Sequence, residues 1–222
     1  ATRTHFDYHD VHAAAQLAEW LSDTRLELHS LHAPVCESLK DGQWVGVFSN
    51  ASSDATRRAA ALAETRAALT VARRIPYRFL VVHLGVPSSG QRSSGDNQPD
   101  AARRSLEEIV AMAADVGVRV AVEVIPNELS SPAELVHLIE DRLDGLDVGI
   151  CLDYGHAHLM GDLGDAIETV SGYLRTTHLH DNRGQCDDHL VPFAGTIDWA
   201  AATVETQKIG YEDVLMFEVA DA

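Results

Sequence analysis

Acidic and histidine side chains interrupt the apolar segments of this chain near the C-terminal end of each segment. Glu123 lies inside VAVEVIP and Glu218 inside LMFEVA. A carboxylate among apolar residues is costly to bury unless it is paired or bound to a metal. Asp153 and His178 follow two further apolar segments. The four side chains together predict a binding site for a divalent cation.

Further histidines occupy similar positions. The stretch CLDYGHAH places Asp153 and His156 three residues apart, where a buried strand is expected to break into a loop, so both side chains can turn toward one cluster. His32 in LHAP and His83 in VVHLG also lie at the ends of apolar segments. A single histidine at such a place is more often structural than functional, but the repetition along the chain favours a shared site.

The segments that carry these residues are expected to be parallel strands, buried on both faces. They span residues 78–85, 118–126, 146–156 and 173–182, with two shorter strands at 26–34 and 213–220. Segments of helical period separate them, at 10–23, 54–74, 99–116, 131–142, 162–171 and 197–208. Asp10, Ser131 and Asp198 are expected helix N-caps, and Pro132 suits a first helical position.

Alternation of strand and helix predicts a parallel sheet with crossover helices, either an open doubly wound sheet or a closed (β/α)₈ barrel. In a barrel the C-terminal strand ends converge on one face, so residues far apart in sequence become neighbours. We expect a single domain over residues 1–222 that lacks a first strand and a last helix, a barrel incomplete at both termini. The Ser- and Gly-rich segment 86–99 is expected to be flexible, as a lid or as a surface connection.

The composition narrows the class of protein. A formal net charge of −17 disfavours a polyanionic ligand such as nucleic acid. The three cysteines form neither a CxxC pair nor a dense framework, which favours a reducing compartment. No run of about 18 apolar residues and no apolar leader occurs, so we expect a cytoplasmic enzyme without a membrane anchor.

Seven motifs, in order, resemble the xylose isomerase-like TIM barrels, a family that includes sugar isomerases and epimerases, inosose dehydratases and endonuclease IV. The motifs are LHAP, VVHLG, VEVIPN, CLDYGHAH, HLHDN, DDHLVPFAGTIDW and FEV. The resemblance covers nearly the whole chain and implies an α/β fold of the (β/α)₈ barrel type. It also implies a metal site with one ligand from each of four strands: Glu123, Asp153, His178 and Glu218.

The resemblance extends to residues around that site. His180 is implied either to support the metal ligands or to face the substrate. Arg183, five residues beyond His178 on the same loop, is expected either to contact a substrate hydroxyl, carboxylate or phosphate or to be a solvent-exposed loop residue. In the endonuclease IV branch a three-zinc cluster uses further ligands. The matching residues here are His32 and His83, together with Glu123, for one ion, and His156, Asp187 and His189 for another.

Three departures weigh against the endonuclease reading. That branch tends to have an aromatic residue where this chain has Val35, Cys36 and Glu37. The strand of Glu123 continues as VIPN rather than as the ENTAG-like run that is usual there. No cluster of Arg and Lys marks a DNA groove. Phe193 also stands where the family commonly has glycine, a departure in the loop that carries His189.

The favoured function is a sugar or sugar phosphate isomerase or epimerase, with Glu123 and Glu218 as the acid and base. The expected cofactor is one divalent ion, Mn²⁺, Zn²⁺, Mg²⁺ or Co²⁺, or up to three Zn²⁺ in an endonuclease-like site. The alternatives are a zinc phosphodiesterase, an inosose dehydratase-like lyase, and a metal-containing protein that binds sugar without turnover. The expected partner is a small sugar or polyol, with no membrane and with self-association into an oligomer.

Overall fold

The computed structural model describes residues 7–40, 43–89, 92–143 and 145–220. Within this range the chain forms two compact units. The first unit contains residues 7–120 and 145–147, and the second contains residues 121–143 and 148–220. Strand β5 begins in the first unit and ends in the second.

The first unit holds three parallel strands and three helices. In chain order its elements are α1 (Val11–Thr24), β1 (Ser30–His32), β2 (Cys36–Lys40), β3 (Gln43–Val47), α2 (Ala55–Leu69), a 3₁₀ turn (Thr70–Arg73), β4 (Phe79–Val82), α3 (Pro99–Ala114) and the start of β5 (Arg119–Glu123). β1 pairs with β4 in parallel, and the Arg119 backbone N–H donates to the carbonyl of Arg78 just before β4. Strands β2 and β3 form an antiparallel hairpin that we did not expect from the sequence.

The second unit continues the alternation of strand and helix. Its elements after β5 are α4 (Pro132–Arg142), β6 (Val148–Asp153), α5 (Tyr154–Met160), α6 (Leu163–Val170), β7 (Leu174–Leu179), α7 (Trp199–Lys208) and β8 (Leu215–Phe217). β6 pairs in parallel with β7, and β7 with β8. Beside β6, the Val124 backbone N–H donates to the carbonyl of Cys151. The four strands β5 to β8 therefore lie side by side in the order in which they occur along the chain, as in a (β/α)₈ barrel.

Burial and capping follow the sequence pattern. Every residue of β4 and β6 is buried, which confirms the expectation of coverage on both faces for these two strands. The same expectation was wrong for β8, where Leu215 and Phe217 are exposed. The predicted N-caps are confirmed, because Asp10, Ser131 and Asp198 each accept a backbone N–H from the first turn of their helix. No helix among the described residues is long and apolar enough to cross a membrane.

One strand end and one loop differ from expectation in ways that bear on the site and its surroundings. The strand expected at 146–156 ends at Asp153, because the Asp153 side chain accepts the backbone N–H of His156 at 2.7 Å and starts α5. In the segment 86–99, which was expected to be flexible, Asp96 and Asn97 are buried and their side chains form hydrogen bonds. Asp96 accepts from Arg57 at 2.8 Å, and Asn97 exchanges hydrogen bonds with the backbone of Val86.

Candidate metal centre

Four side chains of the second unit meet at the C-terminal ends of its four parallel strands. Glu123 is the last residue of β5, Asp153 the last of β6, His178 lies in β7, and Glu218 follows β8. Asp153 and His178 are direct partners in the β6–β7 register. One donor atom from each residue lies within 4.8 Å of the others, and we call these residues the four-ligand group.

His178 lies at the centre of this group. Its Nδ1 atom is 3.0 Å from Oε2 of Glu218 and 3.3 Å from Oε1 of Glu123. Burial opposes a charge on His178, but the neighbouring Cys151, Glu123 and Glu218 outweigh burial and raise the pKa of the imidazole well above its usual value. The group places three carboxylates around one imidazole.

The donor set fits a divalent cation. Asp153 is fully buried, and its Oδ2 atom has no hydrogen-bond partner among the described residues. The Glu123 side chain is 1% exposed, whereas that of Glu218 is 39% exposed. Buried carboxylates of like charge are costly unless a cation balances them, and a mixed oxygen and imidazole set suits Mn²⁺, Mg²⁺, Co²⁺ or Zn²⁺.

A second cluster lies in the same unit, and we call it the histidine group: His156, His180, Asp187 and His189. His156 Nδ1 donates to the carbonyl of Val124 at 3.0 Å, and His189 Nδ1 donates to the carbonyl of Glu218 at 2.9 Å. Each histidine then presents Nε2 to the same atom, Asp187 Oδ2, at 3.2 Å. Histidines fixed in this way through one nitrogen commonly bind a metal through the other.

Electrostatics in the histidine group favour paired charges. Burial lowers the pKa of His189, but Asp187 and then Glu218 outweigh it and raise the pKa to about 9. Burial likewise opposes the ionised form of Asp187, whose pKa is nevertheless lowered by His156 and His189. His189 has φ of 47°, a left-handed conformation that is uncommon for a residue other than glycine. Such strain often marks a functional loop.

His180 connects the two groups. Its side chain is fully buried, with Nε2 at 3.0 Å from Asp153 Oδ1 and 3.5 Å from Asp187 Oδ1. The ring also stacks on that of His189, with centroids 4.0 Å apart. Gly155 at the start of α5 makes room for this ring, since a Cβ atom there would overlap the imidazole.

Asp181 stabilises the loop that carries Asp187 and His189 through hydrogen bonds. This buried carboxylate accepts the indole N–H of Trp199 at 2.8 Å and the backbone N–H groups of Asn182 at 2.8 Å and Ile197 at 3.2 Å. The Asp181 and Leu190 backbones also form an antiparallel bridge. The loop conformation is therefore fixed from both of its ends.

Three other residues singled out in the sequence belong to neither the four-ligand group nor the histidine group. His32 and His83 belong to the first unit, where their Nε2 atoms are 3.2 Å apart and His32 Nδ1 donates to the carbonyl of Ala33 at 2.6 Å. The Arg183 side chain is 64% exposed, with Nη1 at 3.9 Å from Asp188 Oδ2. Contact of Arg183 with a substrate stays a prediction.

Sequence reasoning missed Cys151. This fully buried residue precedes Asp153 by two positions in β6, so both side chains lie on the same face of the strand. Burial raises the pKa of its thiol to about 12. The alternation of side chains along a strand is the signal that predicts its position next to the four-ligand group.

Comparison with known proteins identifies related chains. The family model described as xylose isomerase-like TIM barrel matches residues 2–222. An uncharacterized protein of Methanocaldococcus jannaschii is 31% identical over 121 residues, which are 51% of this chain and 41% of that protein. The chain spans about two fifths of the length of the curated relatives it matches.

Solved structures have the same fold. A D-tagatose 3-epimerase-like protein is 25% identical, with a TM-score of 0.77 over 94% of this chain and 76% of that chain. The IolI protein, solved with a bound zinc atom, is 20% identical, with a TM-score of 0.69 over 96% of this chain and 74% of that chain.

Proposed function

The chain belongs to the xylose isomerase-like TIM barrel family, and from that membership we propose that it is a divalent-metal-dependent epimerase or isomerase of a small sugar. The observation that carries the proposal is the convergence of three carboxylates and one imidazole from four successive strands, with donor atoms within 4.8 Å of one another. The likeness to a D-tagatose 3-epimerase-like protein supports a hydroxy-ketone as the substrate.

The four-ligand group would hold the cation. When bound, a divalent ion polarises a substrate carbonyl and lowers the pKa of the adjacent C–H. Glu123 and Glu218 then serve as acid and base: one carboxylate takes the proton from the carbon next to the carbonyl, and the other returns a proton to that carbon or its neighbour. Glu218 is the more accessible of the two carboxylates, at 39% exposure against 1% for Glu123. We therefore assign the first contact with substrate to Glu218.

The neighbouring residues position these groups. His178 lies within 3.3 Å of a carboxylate oxygen of Glu123 and of Glu218, and so fixes both. The Nε2 atom of His180 lies 3.0 Å from Oδ1 of Asp153 and so contacts this proposed ligand. His156 and Arg183 are assigned to the substrate hydroxyl groups, because His156 borders both groups and Arg183 lies on the loop that follows β7.

The test is proton exchange at the substrate carbon. Protein loaded with Mn²⁺ is incubated with a panel of ketoses in deuterated water, and deuterium incorporation and epimer formation are followed by NMR. Glu218→Gln should lower turnover by about 100-fold or more, the usual range for a general acid or base. Glu19→Gln, in the exposed face of α1, is the matched control. Unchanged turnover in Glu218→Gln would contradict the proposal, and release of water from the substrate would indicate a lyase instead.

A second function, hydrolysis of phosphodiesters, is favoured by the histidine group alone. Two histidines that share Asp187 Oδ2, each fixed through Nδ1, form a set that suits zinc. The net charge of −17 weighs against a DNA substrate. Metal analysis of protein purified without chelators separates the two functions. One ion per chain supports the epimerase. Two or more, with loss of one ion and of abasic-site DNA cleavage in His189→Ala, supports the hydrolase.

A further inference from the structure

The buried thiol of Cys151 lies beside the four-ligand group, and neither proposed reaction uses it. Cys151 pairs with Thr176 in the β6–β7 register, two residues before the Asp153–His178 pair. It is fully buried. Donor atoms of Cys151, His178 and Glu123 lie within 4.8 Å of one another, and all three residues are buried. The thiol is therefore one of three converging donors rather than an isolated cysteine.

This triad differs chemically from the four-ligand group. The four-ligand group offers three carboxylates and one imidazole, which favour hard or borderline ions such as Mg²⁺ and Mn²⁺. The triad offers one sulfur, one nitrogen and one carboxylate oxygen, and thiolate ligands favour soft or borderline ions such as Zn²⁺ and Cd²⁺. His178 and Glu123 belong to both sets. An ion bound by the triad thus takes two ligands away from the four-ligand group.

We propose that Cys151, His178 and Glu123 form an alternative site for a thiophilic divalent cation, and that its occupation excludes a hard cation from the four-ligand group. Binding breaks the S–H bond of Cys151 and forms a sulfur–metal bond, and the proton leaves to solvent. The site itself is independent of the reaction that the protein catalyses. Inhibition of turnover by thiophilic ions is a consequence that rests on the proposed function.

The experiment uses the full chain with a single thiol, Cys36→Ser together with Cys186→Ser, titrated with Cd²⁺. The readout is the ultraviolet absorbance of thiolate-to-cadmium charge transfer, which histidine and carboxylate ligands do not produce. We expect the absorbance to saturate at one Cd²⁺ per chain. Adding Cys151→Ser should abolish it, and circular dichroism and thermal unfolding confirm that this variant is folded. Cys151→Ala provides a second variant if the serine destabilises the strand.

Competition tests the shared ligands. We expect Mn²⁺ to raise the apparent Kd for Cd²⁺ in proportion to its concentration, and free Mn²⁺ measured by electron paramagnetic resonance to rise as Cd²⁺ is added. No charge-transfer absorbance in the single-thiol protein would overturn the site. Simultaneous binding of both ions without competition would overturn the exclusion. Binding and turnover with Mn²⁺ alone, in the absence of Cd²⁺, report separately on the proposed function.

Discussion

The Nε2 atom of His180 lies 3.0 Å from Oδ1 of Asp153, and neither side chain has exposed surface. Because Asp153 belongs to the four-ligand group and His180 to the histidine group, this contact joins the two clusters. A change that moves the His180 ring should therefore alter both of them.

Gly155→Ala should move that ring. A Cβ atom at residue 155 would overlap the His180 imidazole, so we expect the free energy of unfolding to fall by about 1 to 3 kcal/mol, as for other overpacked sites. Metal affinity should fall with it. Gly172→Ala is the control, since a Cβ there meets nothing within 4 Å. Urea unfolding of both variants checks the prediction, and equal stabilities would contradict it.

Asp181→Asn should loosen the loop of Asp187 and His189. The amide would face the indole N–H of Trp199 with a donor instead of an acceptor, at a cost of about 2 kcal/mol. The more exposed Asp188→Asn serves as control.

The same substitution has a defined pH dependence. Burial opposes the charge on Asp181, but the Trp199 and backbone N–H groups outweigh it, so its pKa is lowered from 3.8. A lowered pKa stabilises the fold above the unfolded value, and this stabilisation is lost as pH falls through the lower, folded value. The difference in unfolding free energy between wild type and Asp181→Asn should therefore be constant near neutral pH and shrink below about pH 4. A difference that grows at acid pH would refute the assignment.

Divalent cations should stabilise the protein against heat. A ligand that binds only the folded state at 100 times its Kd adds about 2.7 kcal/mol, so Mn²⁺ should raise the Tm over that of chelated protein. Asp153→Asn should remove most of this gain, while the amide oxygen still accepts the backbone N–H of His156 in the first turn of α5. Glu19→Gln should keep the full gain. The same increase in Tm in all three proteins would place the cation elsewhere.

In the first unit, Arg57→Ala should destabilise the segment that carries Asp96. The Asp96 side chain has no exposed surface and is paired with Arg57 at 2.8 Å. Loss of the partner leaves a buried carboxylate, with an expected cost of up to about 3 kcal/mol. Arg103→Ala breaks a pair with Glu107, whose side chain is 42% exposed rather than buried, and should cost about 0.5 kcal/mol or less. Hydrogen exchange of residues 92–98 and urea unfolding compare the two, and equal costs would count against the prediction.

The sequence predicted carboxylates near the strand ends because carboxylates in apolar runs are rare without a partner, but the four long strands each end three residues before the predicted position. That argument placed Glu123 and Glu218 near strand ends, and the alternation of strand and helix predicted a parallel sheet, either open and doubly wound or closed into a barrel. Helix α5 was missed because Asp153 caps it only once the strand stops, and strand and cap signals overlap in LDYGH. The β2–β3 hairpin was missed because both strands are short and β2 carries charged residues.

Other features depend on side-chain direction. His178 and His180 are two residues apart, so alternation predicts that they share a face of β7, but it does not predict which neighbour each one meets. The His180–Asp153 contact requires the open space at Gly155, and that space is a property of the packed structure.

His156 and His189 owe their orientation to the main-chain carbonyls of Val124 and Glu218. A carbonyl of the backbone is present whatever residue occupies the position. Substitution of the side chain at residue 124 or 218 would therefore leave the tautomer of each histidine unchanged. The main chain thus orients the two imidazoles that face Asp187, independently of the metal-binding role proposed for the Glu218 side chain.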